Sequence, residues 1–188
     1  MSPTNPVADK ERTFRAVHAH VHRDLERFVR RRAGPEAVDD VLADTFLVLW
    51  RRLDKIPTTP DDARAWTFAV ARRVLLTRRR TDDRRHALGV RLAAEASFDD
   101  WGPDEADAVA DRVDVERAWS LLSEVHQESL SLTVFEGLNA TQAAAVLDIS
   151  AVAYRLRLSR ARRALRLHLH HQPQRPRTRA AAPERSTP

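Results

Sequence analysis

Residues 139–171 read NATQAAAVLDISAVAYRLRLSRARRALRLHLHH, and this stretch contains two helical patterns separated by a short break. Asn139 is a predicted N-cap for the first helix, with Gln142 as its capping-box partner. The letters DIS, at residues 148–150, predict a tight turn before a longer helix. At 100° per residue, one side of that longer helix is apolar. This side comprises Tyr154, Leu158, Ala161, Leu165 and Leu169.

The remaining surface of the longer helix carries no acidic residue, and all its formally charged residues are arginines. A solvated helix face normally mixes charges, because like charges one turn apart repel each other. We therefore favour a polyanion as the partner of this face over a merely solvated surface. The arginines concerned are Arg155, Arg157, Arg160, Arg162, Arg163 and Arg166.

A short helix, a three-residue turn and a longer basic helix together predict a DNA-binding helix-turn-helix. The second helix would present its N-terminal end, beginning at Ser150, to a major groove. Arg155 and Arg157 are the predicted base readers, because arginine forms bidentate contacts with guanine. The predicted phosphate contacts come from three later arginines, Arg160, Arg162 and Arg163.

The rest of the sequence also has helical periodicity, so the predicted fold class is all-α. AGP at residues 33–35 and KIPTTPDD at residues 55–62 predict breaks between helices. We expect two small helical domains, at residues 10–86 and 105–171, joined by an acidic linker at residues 87–104. A proline- and arginine-rich tail, residues 172–188, has a composition typical of disorder.

The composition of the chain and the distribution of its charges indicate which kinds of partner it has. The chain has 188 residues, no cysteine, a formal charge of +5 and no apolar run of membrane-spanning length. Residues 95–116 hold nine acids and one arginine, whereas residues 151–179 hold nine arginines and no acid. This charge separation favours a nucleic-acid partner for the C-terminal part. The absence of a membrane segment and of a signal-peptide core leads us to expect a cytoplasmic protein without a membrane partner.

Two groups of histidines suggest metal binding, but without a complete ligand pattern. His18 and His22 lie one helical turn apart, and His168, His170 and His171 end the last helix. No HExxH motif accompanies them, so exposed helical histidines are the favoured interpretation. With only four glycines there is no phosphate-binding loop either. We expect no metal, no other cofactor, no catalytic residue and no enzymatic activity.

Three stretches resemble the extracytoplasmic-function (ECF) type of bacterial RNA polymerase sigma factor. VDDVLADTFLVLWRRLDKI (residues 38–56) and ARAWTFAVARRVLLTRRR (residues 63–80) are similar to the family's second region. LLSEVHQESLSLTVFEGLNATQAAAVLDISAVAYRLRLSRARRAL (residues 121–165) is similar to its fourth region. The resemblance implies a protein that binds core RNA polymerase and directs promoter recognition, DNA opening and transcription initiation.

The same resemblance implies roles for particular residues. Polymerase binding falls on Asp39, Asp40, Asp44, Phe46, Leu49 and Trp50. Binding and opening of the −10 promoter element falls on Arg72, Arg73, Arg78, Arg79 and Arg80. The C-terminal arginines named above, together with Ser150, would bind the −35 element. The resemblance also adds an anti-sigma factor as a candidate partner.

This sequence departs from the usual pattern of the family at several positions. Arg73 stands where the family usually has asparagine, and Thr77 stands where aspartate is common. Residues 152–154, Val-Ala-Tyr, replace the usual Gly-Thr-Val at the start of the recognition helix. Its promoter preference is therefore its own. A stand-alone helix-turn-helix regulator is the alternative interpretation, and a histidine-metal enzyme is the least favoured one.

Overall fold

The computed structural model describes residues 6–81 and 105–170, with side chains described for residues 8–79 and 112–170. Throughout these ranges the chain forms helices and connecting turns, with no strand, which confirms the all-α fold class. The helices are α1 (Pro6–Arg30), α2 (Val38–Arg51), α3 (Pro60–Thr81), α4 (Glu105–Ser120), α5 (Glu124–Val134), α6 (Ala140–Leu147) and α7 (Ala151–His170). The predicted linker, residues 87–104, and the predicted tail, residues 172–188, lie outside the described residues.

The N-terminal helices, α1–α3, pack around a core of aliphatic and aromatic side chains. Leu25 and Phe28 of α1 are fully buried, and the Phe28 ring stacks on Phe68 of α3 with centroids 4.7 Å apart. The predicted break at residues 33–35 separates α1 from α2. There Gly34 is extended, and Pro35 begins a short 3-10 helix, where its missing N–H costs no hydrogen bond.

The second predicted break ends at the first turn of α3. Thr59 Oγ1 accepts a hydrogen bond from the Asp62 backbone N–H at 3.4 Å and donates one to Asp62 Oδ2 at 2.7 Å. Hydrogen bonds from Thr59 and from Gln142 lower the pKa of Asp62. A carboxylate in this position also favours the helix, because the N-terminus carries partial positive charge.

Within the C-terminal set of helices, α4–α7, helices α5 and α6 begin at capping residues that the sequence contains. Ser123 caps α5 and Asn139 caps α6. The predicted capping box at α6 is present: Asn139 Oδ1 accepts from the N–H of Gln142, and Gln142 Oε1 accepts from the N–H of Asn139. After α6, Asp148 adopts the left-handed conformation (φ 58°, ψ 46°), which ends the helix and turns the chain into α7.

The apolar side of α7 packs on the preceding helices, as its periodicity predicted. Tyr154, Leu158 and Ala161 are buried, and Leu165 and Leu169 are half-buried. The Tyr154 hydroxyl donates to the Ser129 carbonyl oxygen at 2.8 Å and lies 2.6 Å from Thr133 Oγ1. These contacts satisfy a phenol that would otherwise be costly to bury. Burial raises the pKa of Tyr154.

The tryptophans at positions 50, 66 and 119 differ in burial. Trp119 of α4 is buried, whereas Trp50 of α2 and Trp66 of α3 are half-buried. Trp50 packs edge-on against Phe14, with ring centroids 5.3 Å apart, and Lys10 Nζ lies 4.7 Å from the Trp50 ring centroid. Trp50 therefore packs against α1 while part of its side chain stays exposed.

The N-terminal and C-terminal helices are in direct contact, although the sequence suggested two modules on a tether. α3 packs against α6, and one hydrophobic core extends through both sets of helices. Across the same junction, Gln142 Nε2 of α6 donates to Asp62 Oδ1 of α3 at 3.1 Å. The two regions of similarity thus form one packed body in this structure.

A group of charged residues and one serine, here called the Arg–Glu cluster, joins the residues just after α1 to α5 and the residues just after α5. It consists of Arg31, Arg32, Glu128, Ser131 and Glu136. Arg32 donates from Nε to Glu128 Oε1 (3.3 Å), from Nη1 to Glu136 Oε1 (3.2 Å) and from Nη2 to Ser131 Oγ (3.0 Å). Arg31 holds the same Glu136 with two hydrogen bonds, at 2.8 and 3.3 Å. Such complete pairing is what allows these charges to be buried.

Candidate nucleic-acid interface

The outer side of α7 is a cationic surface. Arg155, Arg160, Arg162, Arg163 and Arg166 are exposed, and Arg157 is half-buried. Among the described residues, no acidic side chain lies within 4.0 Å of any of these guanidinium groups. The predicted charge distribution of this helix is therefore present in three dimensions, with guanidinium groups available to an external anion.

The N-terminal end of α7 combines a cap with exposed apolar residues. Ser150 Oγ accepts a hydrogen bond from the Ala153 backbone N–H at 3.1 Å, so Ser150 serves as the N-cap. Its hydroxyl hydrogen is still available to donate to a phosphate. Val152 and Leu156, in the first two turns, are among the most exposed large apolar residues of the described chain.

The arginines of α3, predicted to bind the −10 element, differ in their surroundings. Arg73 is exposed, but Arg72 lies beneath α5, where its Nε is 3.9 Å from Glu128 Oε1 and makes no hydrogen bond. Arg79 Nη1 is 4.0 Å from Glu124 Oε2. The Arg80 side chain lies outside the described part of the chain. The C-terminal helices therefore reach over part of this predicted DNA-binding surface.

Arg78 instead turns towards α2 and the acids predicted to bind polymerase. Its Nη2 lies 2.7 Å from Asp44 Oδ2, and its Nη1 lies 3.2 Å from Asp40 Oδ2. The hydrogen bond with Asp44, followed by that with Asp40, raises the pKa of Arg78. Asp39, the third predicted acid, is exposed. An arginine assigned to DNA and two acids assigned to polymerase thus form ion pairs with each other.

The apolar residues assigned to polymerase binding do not all reach the surface. Leu49 has no exposed surface, because it faces the core between the N-terminal helices. The predicted direct contact between Leu49 and polymerase therefore has no exposed surface to use in this conformation. Phe46 and Trp50 are half-buried, and the neighbouring Leu47 is exposed.

An aromatic group that the sequence did not indicate connects α1 to this side of α2. Phe46 lies against His18 (centroids 4.3 Å apart) and His22 (5.8 Å). Burial, and then the neighbouring His22, lower the pKa of His18. Within the ranges that the structure describes, no cluster of three or more His, Cys, Asp or Glu residues could hold a metal ion. The i, i+4 spacing of the histidines was visible in the sequence, but Phe46 as their partner was not.

None of the helices in residues 6–81 and 105–170 is both long and apolar enough to cross a membrane.

Comparison with known proteins places the chain in a family. The Sigma-70 region 2 family model matches residues 17–85. The ECF RNA polymerase sigma factor SigL of Mycobacterium tuberculosis is 32% identical over 157 residues, which cover 83% of this chain and 88% of SigL. The RNA polymerase sigma factor CnrH of Cupriavidus metallidurans is 33% identical over 170 residues, with 83% of this chain and 86% of CnrH covered. The chain belongs to the ECF RNA polymerase sigma factors.

Solved structures agree with this conclusion. The sigma factor RpoE of Bartonella quintana, solved with the anti-sigma factor NepR, matches with a TM-score of 0.61 at 19% identity, covering 85% of this chain and 98% of RpoE; at that identity it supports the fold alone. CnrH, solved with the cytosolic domain of CnrY, matches with a TM-score of 0.56 at 27% identity, covering 87% of this chain and 91% of CnrH. The protein is thus a sigma factor, which binds core RNA polymerase and directs initiation at promoters.

Proposed function

We propose that three surfaces of this sigma factor divide the work of initiation. The acidic and aromatic side of α2 binds core RNA polymerase through Asp39, Asp40, Asp44, Phe46 and Trp50. The C-terminal half of α3 binds and helps to open the −10 element through Arg72, Arg73, Arg78, Arg79 and Arg80. The outer side of α7 binds the −35 element through Ser150, Arg155, Arg157, Arg160, Arg162 and Arg163.

The single observation that carries this proposal is the cationic surface of α7, whose arginines have no acidic partner among the described residues. The C-terminal part of the chain contains acidic residues, but they do not pair with α7 in the described structure. Glu128 and Glu136 instead form ion pairs with Arg31 and Arg32. The arginines of α7 are left to solvent, on the helix that follows a turn after α6. Duplex DNA supplies a regular array of phosphates, and neutralising them releases counterions. This surface therefore suits DNA.

The packed arrangement adds a requirement for −10 binding. Arg72 faces α5, and Arg79 lies near Glu124 of the same helix. A DNA strand that uses both arginines needs α5 to move away from α3. Asp40 and Asp44 likewise hold Arg78, so a polymerase contact that engages these acids would free Arg78 for DNA. Polymerase binding and exposure of the −10 surface are thus coupled in this proposal.

The test of the polymerase surface is charge reversal at Asp40. The Asp40→Arg variant is expected to lose association with core polymerase, because it places repulsive charge at the docking surface and beside Arg78. Pulldown with purified core polymerase and run-off transcription measure this loss. Asp54→Arg is the matched control, since Asp54 is also an exposed N-terminal acid but lies beyond the end of α2.

Duplex binding by the C-terminal helices is expected to survive Asp40→Arg, because Asp40 belongs to α2 and pairs with Arg78, not with an arginine of α7. Gel shift with a −35 duplex measures this. Unaltered transcription by Asp40→Arg would refute the docking role of α2. Equal losses in Asp40→Arg and Asp54→Arg would show that only the overall charge matters.

We further propose that an anti-sigma factor restrains this protein and that it acts in the cytoplasm, by binding rather than by catalysis. The support comes from a relative, since CnrH was solved with a protein partner, the cytosolic domain of CnrY. Co-purification of the tagged chain from cells in the absence of an inducing stress, followed by mass spectrometry, tests for such a partner. Recovery of polymerase subunits alone under all conditions would contradict restraint of this kind.

A further inference from the structure

The first two turns of α7 expose two large apolar side chains that nothing in the described chain covers. Val152 is 68% exposed and Leu156 is 52% exposed. They are four residues apart, so they lie on the same side of the helix, about 40° apart when each residue advances about 100°. Tyr154, Leu158 and Ala161 lie on the opposite side, about 180° away, where α7 meets the protein. Val152 and Leu156 therefore point directly outward.

Cationic residues surround this apolar pair. Arg155 lies on one flank of the outward face and Arg160 on the other, and both are exposed. The same face continues towards the C-terminus through Ser159 and Arg163. From Ala140 to His170 the only acidic residue is Asp148, in the turn before α7. The outward face is thus apolar at its N-terminal end. Basic residues lie on both flanks of this apolar end and further towards the C-terminus.

The major groove of DNA offers one apolar group to such a face, the C5-methyl group of thymine. The N-terminal residues of a recognition helix approach base edges, while later basic residues contact phosphates. Single exposed apolar residues are common and need no explanation. Two of them at the outward tip of this helix form a more specific arrangement. They are flanked by arginines that have no acidic partner in residues 8–79 and 112–170, and these arginines would hold the tip against a polyanion.

We propose that Val152 and Leu156 are specificity-determining residues that contact thymine C5-methyl groups in the upstream promoter element. This proposal rests on the proposed binding of DNA by α7. Charge complementarity favours DNA over a protein partner. In the described chain, no acidic residue lies within ion-pair distance of the arginines that surround Val152 and Leu156. The methyl group of 5-methylcytosine has the same chemistry, so the experiment must separate the two bases.

The probe is a duplex selected from a randomised library by the full-length chain bound to core RNA polymerase. Each thymine in the selected upstream element is replaced in turn by uracil, which removes only the methyl group. We expect the affinity to fall about three- to fivefold at one or two positions, the effect of uncovering about one methyl group. Competition binding against the parent duplex measures the change for each substitution.

Two variants connect these positions to the side chains. Val152→Ser and Leu156→Gln are each expected to abolish the uracil effect at one position while retaining binding through the arginines. Val134→Gln is the matched control, because Val134 is comparably exposed but belongs to the end of α5 and not to the outward face of α7. Circular dichroism confirms that all three variants remain folded, as expected for substitutions of exposed residues.

The outcomes separate this inference from the function on which it rests. Selective DNA binding without any uracil effect would overturn the methyl contact but leave DNA binding by α7 intact. Failure of the polymerase-bound chain to select any upstream sequence would overturn both. A gain of affinity only where cytosine is replaced by 5-methylcytosine would overturn the assignment to thymine. Unchanged uracil effects in Val152→Ser and Leu156→Gln would show that other residues contact the methyl groups.

Discussion

Two pairs of consecutive arginines have opposite surroundings. One pair follows the end of α1, and the other lies in α7. Arg31 and Arg32 are buried or nearly so: both pair with Glu136, and Arg32 also pairs with Glu128. Arg162 and Arg163 are exposed, with no acidic partner among the described residues. The same residue type therefore holds the two sets of helices together in one place and presents charge to solvent in the other.

The difference shows what determines the role of an arginine. A buried guanidinium must replace the water that it loses, and Arg32 does so with hydrogen bonds to two carboxylates, a hydroxyl and the Phe28 carbonyl oxygen. An exposed guanidinium has no such requirement and keeps its donors for a ligand. Substitutions at buried and exposed arginines should consequently affect different measurable properties.

The largest effect is expected at the Arg–Glu cluster. Arg32→Ala leaves Glu128 and Glu136 without their shared partner in a buried site, and loss of one member of a buried pair costs about 3–5 kcal/mol. We expect the free energy of unfolding, measured by urea denaturation of the full chain, to fall by this amount. A loss below about 1 kcal/mol would mean that the cluster opens readily and that α1 and α5 separate at little cost.

A smaller effect, on DNA rather than on stability, is expected at the base-reading position of α7. Arg155→Ala should weaken binding to the preferred −35 duplex by about 1–3 kcal/mol and relax the preference at one base pair. The free energy of unfolding should stay within about 0.5 kcal/mol of the parent value, because Arg155 is exposed. Binding measured across a set of singly substituted duplexes tests both the size of the loss and its position.

Arg163→Ala is expected to weaken binding to all duplexes to a similar extent. Its side chain is a predicted phosphate contact, and phosphates are the same in every sequence. The slope of log K against log salt concentration should decrease by about 1. If Arg155→Ala and Arg163→Ala produced equal, sequence-independent losses, the assignment of Arg155 to the groove would be wrong.

The smallest effect is expected at Arg30, the residue directly before the buried pair. Arg30 Nη2 lies 2.6 Å from Glu26 Oε1 on the surface of α1, and Arg30 is exposed. Exposed pairs one turn apart in a helix contribute about 0.3–0.5 kcal/mol. Arg30→Ala is therefore the control for Arg32→Ala in the same urea experiment. A loss comparable with that of Arg32→Ala would remove the distinction between buried and exposed arginines.

Local features of the fold were predictable from the sequence. Three such features are the apolar side of α7, the Asn139–Gln142 capping box and the break at residues 33–35. Each depends on residues within a few positions of each other. Helical periodicity, capping and proline geometry act over one or two turns of helix. They can therefore be predicted from residues that are close together in the sequence. The exposure of the α7 arginines follows from the same periodicity.

Contacts between distant segments were not predictable in this way. Arg78 and Asp44 belong to different helices, and the burial of Leu49 depends on how α1 and α3 cover α2. The placement of Arg72 beneath α5 depends on contact between two regions that the sequence suggested were separate. The periodicity of a single helix does not specify which residues of another helix it will contact.

The sequence alone determined an all-helical chain of the sigma-factor type, with one helix that is apolar on one side and rich in arginine on the others. Only the tertiary structure decided which arginines are partners of acids and which remain available. In RRR at residues 30–32, two of three arginines reach Glu128 or Glu136, about a hundred positions later in the chain. Charge pairing depends on distance in space, and folding, rather than the order of residues, brings such groups together.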